Sequence, residues 1–362
     1  MNSKIYLPGL NGLRSIAASA VVFGHVLERL YLFHQEKNTF LDSFAGYSVT
    51  IFFTLSGFLI TYLLLHEKQK TNTIDVKNFY LRRILRIWPL YYFYLIVAFI
   101  IGGYLYNKDI FYYIFIIPNF EFARNAAFGL LITYPLLGHY WSLGVEEQFY
   151  AFWPIFIKKI RNVKKFIFLF LLFFMVIEFG LTIFDGPIIL RSIFNYTRFS
   201  CLAIGAIGAT LFYNKNSIIN LFKNTYIVLF LWGGLILFLF NIFNVYTIIN
   251  SEIVSFITLG IILSQLVSEK PVINLENNVM DFLGKISFGI YIYNPIAIYL
   301  FSLLFNYYEI KVNVLFLCVL VYVLTISISF VSYNYFEKPF LKFKQRFTII
   351  KSSPSRAQSE SE

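Results

Sequence analysis

Apolar runs of about twenty residues, separated by short polar connections, fill the chain from residue 13 to residue 334. A helix rises about 1.5 Å per residue, so such a run crosses a hydrocarbon layer roughly 30 Å thick. The pattern predicts an all-α polytopic transmembrane bundle of about ten spans. They are expected at 13–33, 44–65, 84–105, 140–157, 166–184, 199–213, 226–244, 247–267, 286–304 and 313–334. The stretch 110–138 is also apolar, but Pro118, Pro135, Glu121 and Arg124 interrupt it. It is expected at the outer interface or as a re-entrant segment. Segment 272–285 reads as a surface helix leading into the ninth span. The bundle forms one membrane domain, 1–340, and the polar, Ser-rich stretch 341–362 reads as a disordered cytoplasmic tail.

Composition agrees with the pattern. Hydrophobic residues make up 58% of the 362 and charged residues only 14%, well below the quarter usual in soluble domains. The formal net charge of +11 admits nucleic acid, anionic lipid or membrane topology as its cause. Position separates them. Only seven of the 30 Lys and Arg fall on the side opposite the termini: Arg29, Lys37, Lys108, Arg124, Arg191, Arg198 and Lys311. By the positive-inside rule both termini and the richer loops are cytoplasmic. The basic excess is then topological, and no nucleic-acid partner is expected. Cys201 and Cys318 sit in apolar runs, with neither metal-ligand nor disulfide spacing, and read as buried free thiols. No metal site is expected. The first apolar run contains Arg14 and His25 and has no clear cleavage site, so it reads as a retained span and not a signal peptide.

Polar residues within spans carry the functional argument, because they are costly there. Arg14 and His25 lie eleven residues apart in "GLNGLRSIAASAVVFGHV". Eleven residues are close to three turns, so both project from a similar face, roughly 16 Å apart. Arg14 reads either as a snorkelling anchor or as part of a pathway, and His25 either as a helix–helix hydrogen-bonding group or as a general base or acyl carrier. In "FFTLSGFLITYLLL", Ser56-Gly57 reads as a close helix contact. In "FYLRRILRIWPLYY", Arg83 and Arg86 are one turn apart on one face, a spacing suited to phosphate oxygens. "GHYWSLGVEEQFYAFWP" sets His139, Trp141, Ser142, Glu146 and Glu147 together at the outer entry to the fourth span. Ser287, Tyr291 and Asn294 are polar points in the ninth span, where Pro295 frees a backbone carbonyl. In "YFEKPFLKF", Glu337 and Lys338 read as an exit turn with a local ion pair.

Taken together and in order, "GLRSIAASAVVFGH", "FFTLSGFLIT", "RRILRIWPLYY", "HYWSLGVEEQFY" and "FEKP" resemble the acyltransferase-3 family of bacterial integral membrane acyltransferases. The resemblance covers most of residues 6–340. It implies a multi-pass protein of the bacterial inner (cytoplasmic) membrane that moves an acyl group, usually acetyl, from cytosolic acyl-CoA to an extracytoplasmic acceptor. It implies a catalytic His25 with Arg14 as partner, and Glu146 and Glu147 as contributors to the reaction. It implies acetyl-CoA, as co-substrate, on Arg83 and Arg86. Acceptor contacts are expected from His139, Trp141, Ser142, Tyr291 and Asn294. Many relatives carry a histidine where Asn294 stands, and some append a periplasmic hydrolase-like domain.

The implied acceptor is a surface glycan such as O-antigen, capsule or exopolysaccharide, or a lipid-linked sugar, with membrane lipid as the surrounding partner. His25 would either deprotonate the acceptor hydroxyl or carry the acyl group first. The rival reading is a transporter or flippase, since intramembrane His and Arg also mark translocation pathways.

Overall fold

A computed structural model describes residues 5–36, 44–102, 109–130, 134–243, 249–350 and 352–353. Apart from a two-residue parallel pairing of Ile5–Tyr6 with Ser352–Ser353, which joins the two ends of the described chain, the architecture is helical. The helices are α1 (Leu10–Glu28), α2 (Phe44–Thr71), α3 (Val76–Gly102), α4 (Ile110–Ile114), α5 (Pro118–Phe128), α6 (Tyr140–Lys159), α7 (Val163–Ile183), α8 (Ile188–Asn195), α9 (Phe199–Tyr213), α10 (Thr225–Leu239), α11 (Asn250–Val267), α12 (Asn278–Lys285), α13 (Ser287–Tyr307), α14 (Val314–Ser332) and α15 (Lys338–Lys344).

Each of the ten expected spans falls on a helix, but the lengths differ. Among the described residues, seven helices are long and apolar enough to cross a membrane: α1, α2, α3, α7, α11, α13 and the continuous stretch that begins with α14. An eighth candidate is α10 joined to a 3-10 turn at Ser217–Lys223, bent by 77°. Helix α6 carries two carboxylates and two lysines, and α9 has only 15 residues. The first span stops at Glu28 and turns into a 3-10 segment, Leu30–Phe33, instead of running to 33. Helix α3 starts at Val76, so Arg82, Arg83 and Arg86 lie within a helix and not in the preceding loop. The region 110–138 holds the short helices α4 and α5, and α12 stands where a surface helix was expected.

Local chemistry sets many of the helix starts. Asn162, Asn224, Asn277 and Asn313 each accept from a backbone N–H in the first turn of α7, α10, α12 and α14. Beyond α14 the chain makes a π-turn, Tyr333–Glu337, and continues through α15 into a 3-10 turn, Gln345–Phe347. Residues 341–347, expected as the start of a tail, are therefore helical. Residues 354–362 lie outside the described residues.

The centre of the bundle is α2, with α1 and α9 against it. Membrane helices gain no hydrophobic stabilisation from meeting each other, so close approach of small residues supplies the contact. A Cβ on Gly57 would sit 1.9 Å from the Leu202 carbonyl oxygen, and one on Gly205 would sit 2.0 Å from that of Thr54. On α1, a Cβ on Gly24 would lie 2.6 Å from the Ala45 nitrogen. Both cysteines are buried and unpaired. Replacing Gly57 or Gly205 with Val should force α2 and α9 apart and destabilise the protein by about 1–3 kcal/mol. A fall in melting temperature of the detergent-solubilised protein, relative to the same change at open Gly233, is the expected result.

Candidate active site

A cavity of about 90 Å³ opens between α1, α2, α3, α6 and α13. Arg14, Arg83 and Arg86 line it together with Ser56, Glu146 and Tyr150. Arg83 and Arg86 come from one face of α3, as their spacing predicts. Among the described residues, none of the three guanidinium groups has a carboxylate within ion-pairing distance. Arg83 lies over the rings of Phe79 and Tyr150, at 5.8 and 5.5 Å, and its buried Nε has no hydrogen-bond partner. Three guanidinium groups facing one cavity repel each other strongly in surroundings of low dielectric. They suit a ligand that carries several negative charges, and phosphate matches their fork geometry.

Glu146 is the cavity's carboxylate. Its Oε1 accepts from Ser56 Oγ at 2.7 Å and its Oε2 from Tyr150 OH at 3.1 Å. Glu147, the next residue, projects about 100° away around the helix. It accepts from Trp88 Nε1 at 2.8 Å and does not line the cavity. Of the two carboxylates expected to contribute, only Glu146 is thus among the residues lining this cavity.

At the other end the cavity meets Ser142 and Tyr291, whose hydroxyl oxygens are 2.5 Å apart. Tyr291 OH also donates to the His139 carbonyl at 2.8 Å. Just beyond this pair lie two imidazoles, His25 and His139, with ring centres 6.4 Å apart. Neither lines the cavity. His139 is 1% exposed and both its ring nitrogens lack a partner among the described residues. Its ring is caged by Tyr94, Tyr140 and Tyr291.

His25 is held by Asn294, and the hold starts from the backbone. Pro295 has no N–H, so the Tyr291 carbonyl loses its helical donor. Asn294 Nδ2 donates to that carbonyl at 2.6 Å and to the Ile290 carbonyl at 3.3 Å. This turns Oδ1 toward His25 Nδ1, 2.6 Å away. An amide oxygen only accepts, so the proton sits on Nδ1 and Nε2 keeps its lone pair. That is the tautomer a general base or a nucleophile requires.

The other expected residues are placed apart. Trp141 does not line the cavity; it packs on Phe53 and Tyr196, and Arg198 lies 5.3 Å over its ring. Arg82 points away and pairs with Glu67 at 3.0 Å, while donating to the Phe347 carbonyl at 2.8 Å. Glu337 makes no ion pair with Lys338 among the described residues. It is buried by the π-turn, near Ser332 and Arg86. Sequence reasoning missed Tyr150 and Lys344. Tyr150 is one turn after Glu146, a spacing that could have been read as a shared face. Lys344 lies within electrostatic range of Arg14, Arg82, Arg83 and Arg86, and no local signal separates it from a tail lysine.

A sequence profile described as an acyltransferase domain matches residues 7–333. The chain belongs to the acyltransferase-3 family. A protein of Staphylococcus aureus (strain COL), provisionally named an O-acetyltransferase, is 30% identical over 93% of this chain and 58% of its own length. The peptidoglycan O-acetyltransferase of Listeria monocytogenes is 32% identical over 45% of this chain and 26% of its own. A Bacillus subtilis protein provisionally named a peptidoglycan O-acetyltransferase is 32% identical over 42% of this chain and 24% of its own. The chain spans a little over half the length of the Staphylococcus relative. No solved structure matches the chain. The arginine-lined cavity and the two imidazoles beyond it lie within the matched residues.

Asn294→Leu should lower acyl-transfer rate at least about tenfold, because it releases the imidazole tautomer while leaving the ring in place. The Michaelis constant for the acyl donor should stay within about twofold. Steady-state kinetics on the reconstituted protein check both values; a change confined to donor affinity would place Asn294 elsewhere in the mechanism.

Proposed function

We propose that this protein is a membrane O-acetyltransferase that takes acetyl from cytosolic acetyl-CoA and places it on a hydroxyl of an extracytoplasmic glycan. The observation that carries this reading is the run of groups along one cavity. Unpaired Arg14, Arg83 and Arg86 stand at one end, and His25 with a free Nε2 lies beyond the other. The names of the Listeria and Bacillus relatives support a peptidoglycan-like glycan as the acceptor class.

In this reading the CoA phosphates rest on Arg83 and Arg86, with Arg14 and Lys344 adding charge at the same mouth. Coenzyme A is too highly charged to enter the hydrocarbon, so it stays on the cytoplasmic side and its pantetheine arm reaches inward. The arm passes Glu146 and the Ser142–Tyr291 pair. The acceptor hydroxyl comes from the outer side. His25 Nε2 takes its proton as the oxygen attacks the thioester carbonyl. The C–S bond breaks, and the CoA thiolate leaves with the proton that His25 held. Nδ1 keeps its proton throughout and donates to Asn294, which stabilises the imidazolium formed in the step. Glu146, tied to Ser56 and Tyr150, partly offsets the charge of the arginines between turnovers. The positive-inside distribution and the pairing of the two chain ends support cytoplasmic termini, the arrangement this path needs.

His25→Gln should reduce transfer by roughly 10²–10⁴-fold with donor binding retained. Arg83→Gln and Arg86→Gln should each weaken CoA binding about ten- to a hundredfold, the worth of one charge-assisted hydrogen bond. Calorimetry of CoA binding in nanodiscs, with mass spectrometry of glycan acetylation in a complemented deletion strain, measures both arms. Full acetylation by His25→Gln, or unchanged CoA affinity in both arginine variants, would sink the proposal.

A further inference from the structure

Arg29 stands on the far side of the imidazole pair from the arginine cavity and serves neither the donor mouth nor the Asn294 contact. It follows His25 by four residues, one turn on, at the point where α1 ends. Four residues advance about 6 Å along the helix axis, away from Arg14. The guanidinium reaches the turn that sets His139 in place: a Cβ on Gly138 would lie 3.3 Å from Arg29 Nη2. It is within electrostatic range of both imidazoles and of Tyr94, whose ring packs on His139. His25 and Arg29 from α1 and His139 from the start of α6 thus converge on one region.

Arg29 differs from the other arginines assigned to its side of the bundle. Arg124 makes two bonds to Asp109, at 2.9 and 2.8 Å, and Arg191 pairs with Asp185 at 2.7 Å. Arg198 donates to the Gly46 carbonyl and to Thr50 Oγ1 and covers the Trp141 ring. Arg29 has no ion pair among the described residues, and its buried Nη1 has no hydrogen-bond partner there. The residue as a whole is only half-buried, so a ligand can reach it. Glu28 lies within electrostatic range and offsets part of the charge without bonding it. A guanidinium in low dielectric with an open donor is costly, and an anion that takes the bond removes that cost. One guanidinium, partly offset by Glu28, suits a single negative charge, unlike the three that face the donor cavity. Beside it, both ring nitrogens of His139 are open. A neutral imidazole donates from one nitrogen and accepts at the other, as a sugar hydroxyl both donates and accepts.

We infer that Arg29 and His139 seat an acidic sugar: Arg29 takes one anionic group, a carboxylate or a phosphodiester, while a hydroxyl of the same sugar meets His25 Nε2. The helix rise of about 6 Å between His25 and Arg29 is comparable to the width of one pyranose ring, so both groups can belong to one sugar unit. The inference deepens the acetyl-transfer reading and rests on it, naming the acceptor as an anionic glycan.

Calorimetry of the full chain in nanodiscs tests it with three soluble disaccharides: cellobiose, cellobiouronic acid, which adds one carboxylate, and cellobiose carrying a methyl phosphodiester. At least one acidic form should bind about tenfold tighter than cellobiose, the worth of one charge-assisted hydrogen bond, and the larger gain identifies the anion. Arg29→Gln should level the three. Arg29→Lys should cut the preference to about threefold, because an ammonium keeps the charge but not the fork. The lysine variant also covers a failure of the glutamine variant to fold. Equal binding of the three by the unaltered protein, binding of none, or an unchanged preference in both Arg29 variants overturns the inference. Mass spectrometry after incubation with acetyl-CoA reads transfer to the same disaccharides. An equal loss of transfer to all three in Arg29→Gln, with the binding preference intact, also overturns it, since that outcome places Arg29 on the reacting carbonyl. Calorimetry of CoA binding on the same samples keeps the two proposals apart. Acid preference without CoA binding would remove the acetyl-transfer reading and leave an anion site; CoA binding without acid preference would do the reverse.

Discussion

Every polar group at membrane depth must be satisfied by protein, because hydrocarbon offers no donors or acceptors. The arrangement around His25 follows from this constraint. Pro295 breaks the ladder of α13 at the Tyr291 carbonyl, and Asn294 repairs it. The repair leaves the amide oxygen facing inward, where it meets His25 across the interface. A backbone defect, its local remedy and the protonation state of an imidazole are one continuous set of contacts. The same constraint explains Glu146, which takes hydroxyl donors from two helices, and Glu147, which takes the indole of Trp88. Two of the groups left without a partner among the described residues, Arg83 Nε and the His139 ring nitrogens, belong to the cavity and to the paired imidazoles beyond it.

Much of this was legible in the chain. Hydrophobic run length located the helices on which the ten expected spans fall, and the Arg83–Arg86 spacing placed both guanidinium groups in one cavity because three residues make almost one turn. His25 and Asn294 were both singled out, yet their contact was not legible: it joins positions 269 residues apart, and no local pattern encodes which helices become neighbours. The Ser56-Gly57 dipeptide was read as packing alone. It divides: Gly57 admits the Leu202 carbonyl, while Ser56, on another face, serves Glu146. Glu146 and Glu147 were both named as contributors, and which of them reaches the cavity follows from the helix, where neighbours diverge by about 100°. The placement of the tail was obscured by composition, since Lys, Gln and Arg at 342–346 look solvent-bound until Arg82 reaches Phe347.

Helix α2 carries a double burden. One face carries Val49, Phe52, Phe53 and Ser56 into the arginine cavity; another presents Gly46 and Thr50 to Arg198. Its 28 residues and its close glycine contacts with α9 leave it little room to shift. A shift of α2 at the arginine cavity would move the groups that Arg198 holds.

The π-turn at Tyr333–Glu337 bears on how the inner mouth is closed. A π-turn accommodates one residue more than an α-helix would in the same rise, and such bulges recur at functional sites. Each residue turns an α-helix by about 100°, so the extra one resets the angular phase of everything after it. That phase sets the direction in which Lys344 leaves α15, within electrostatic range of Arg14, Arg82, Arg83 and Arg86. A one-residue change in the turn would therefore alter the charge presented at the rim of the arginine cavity, with no substitution in the cavity wall itself.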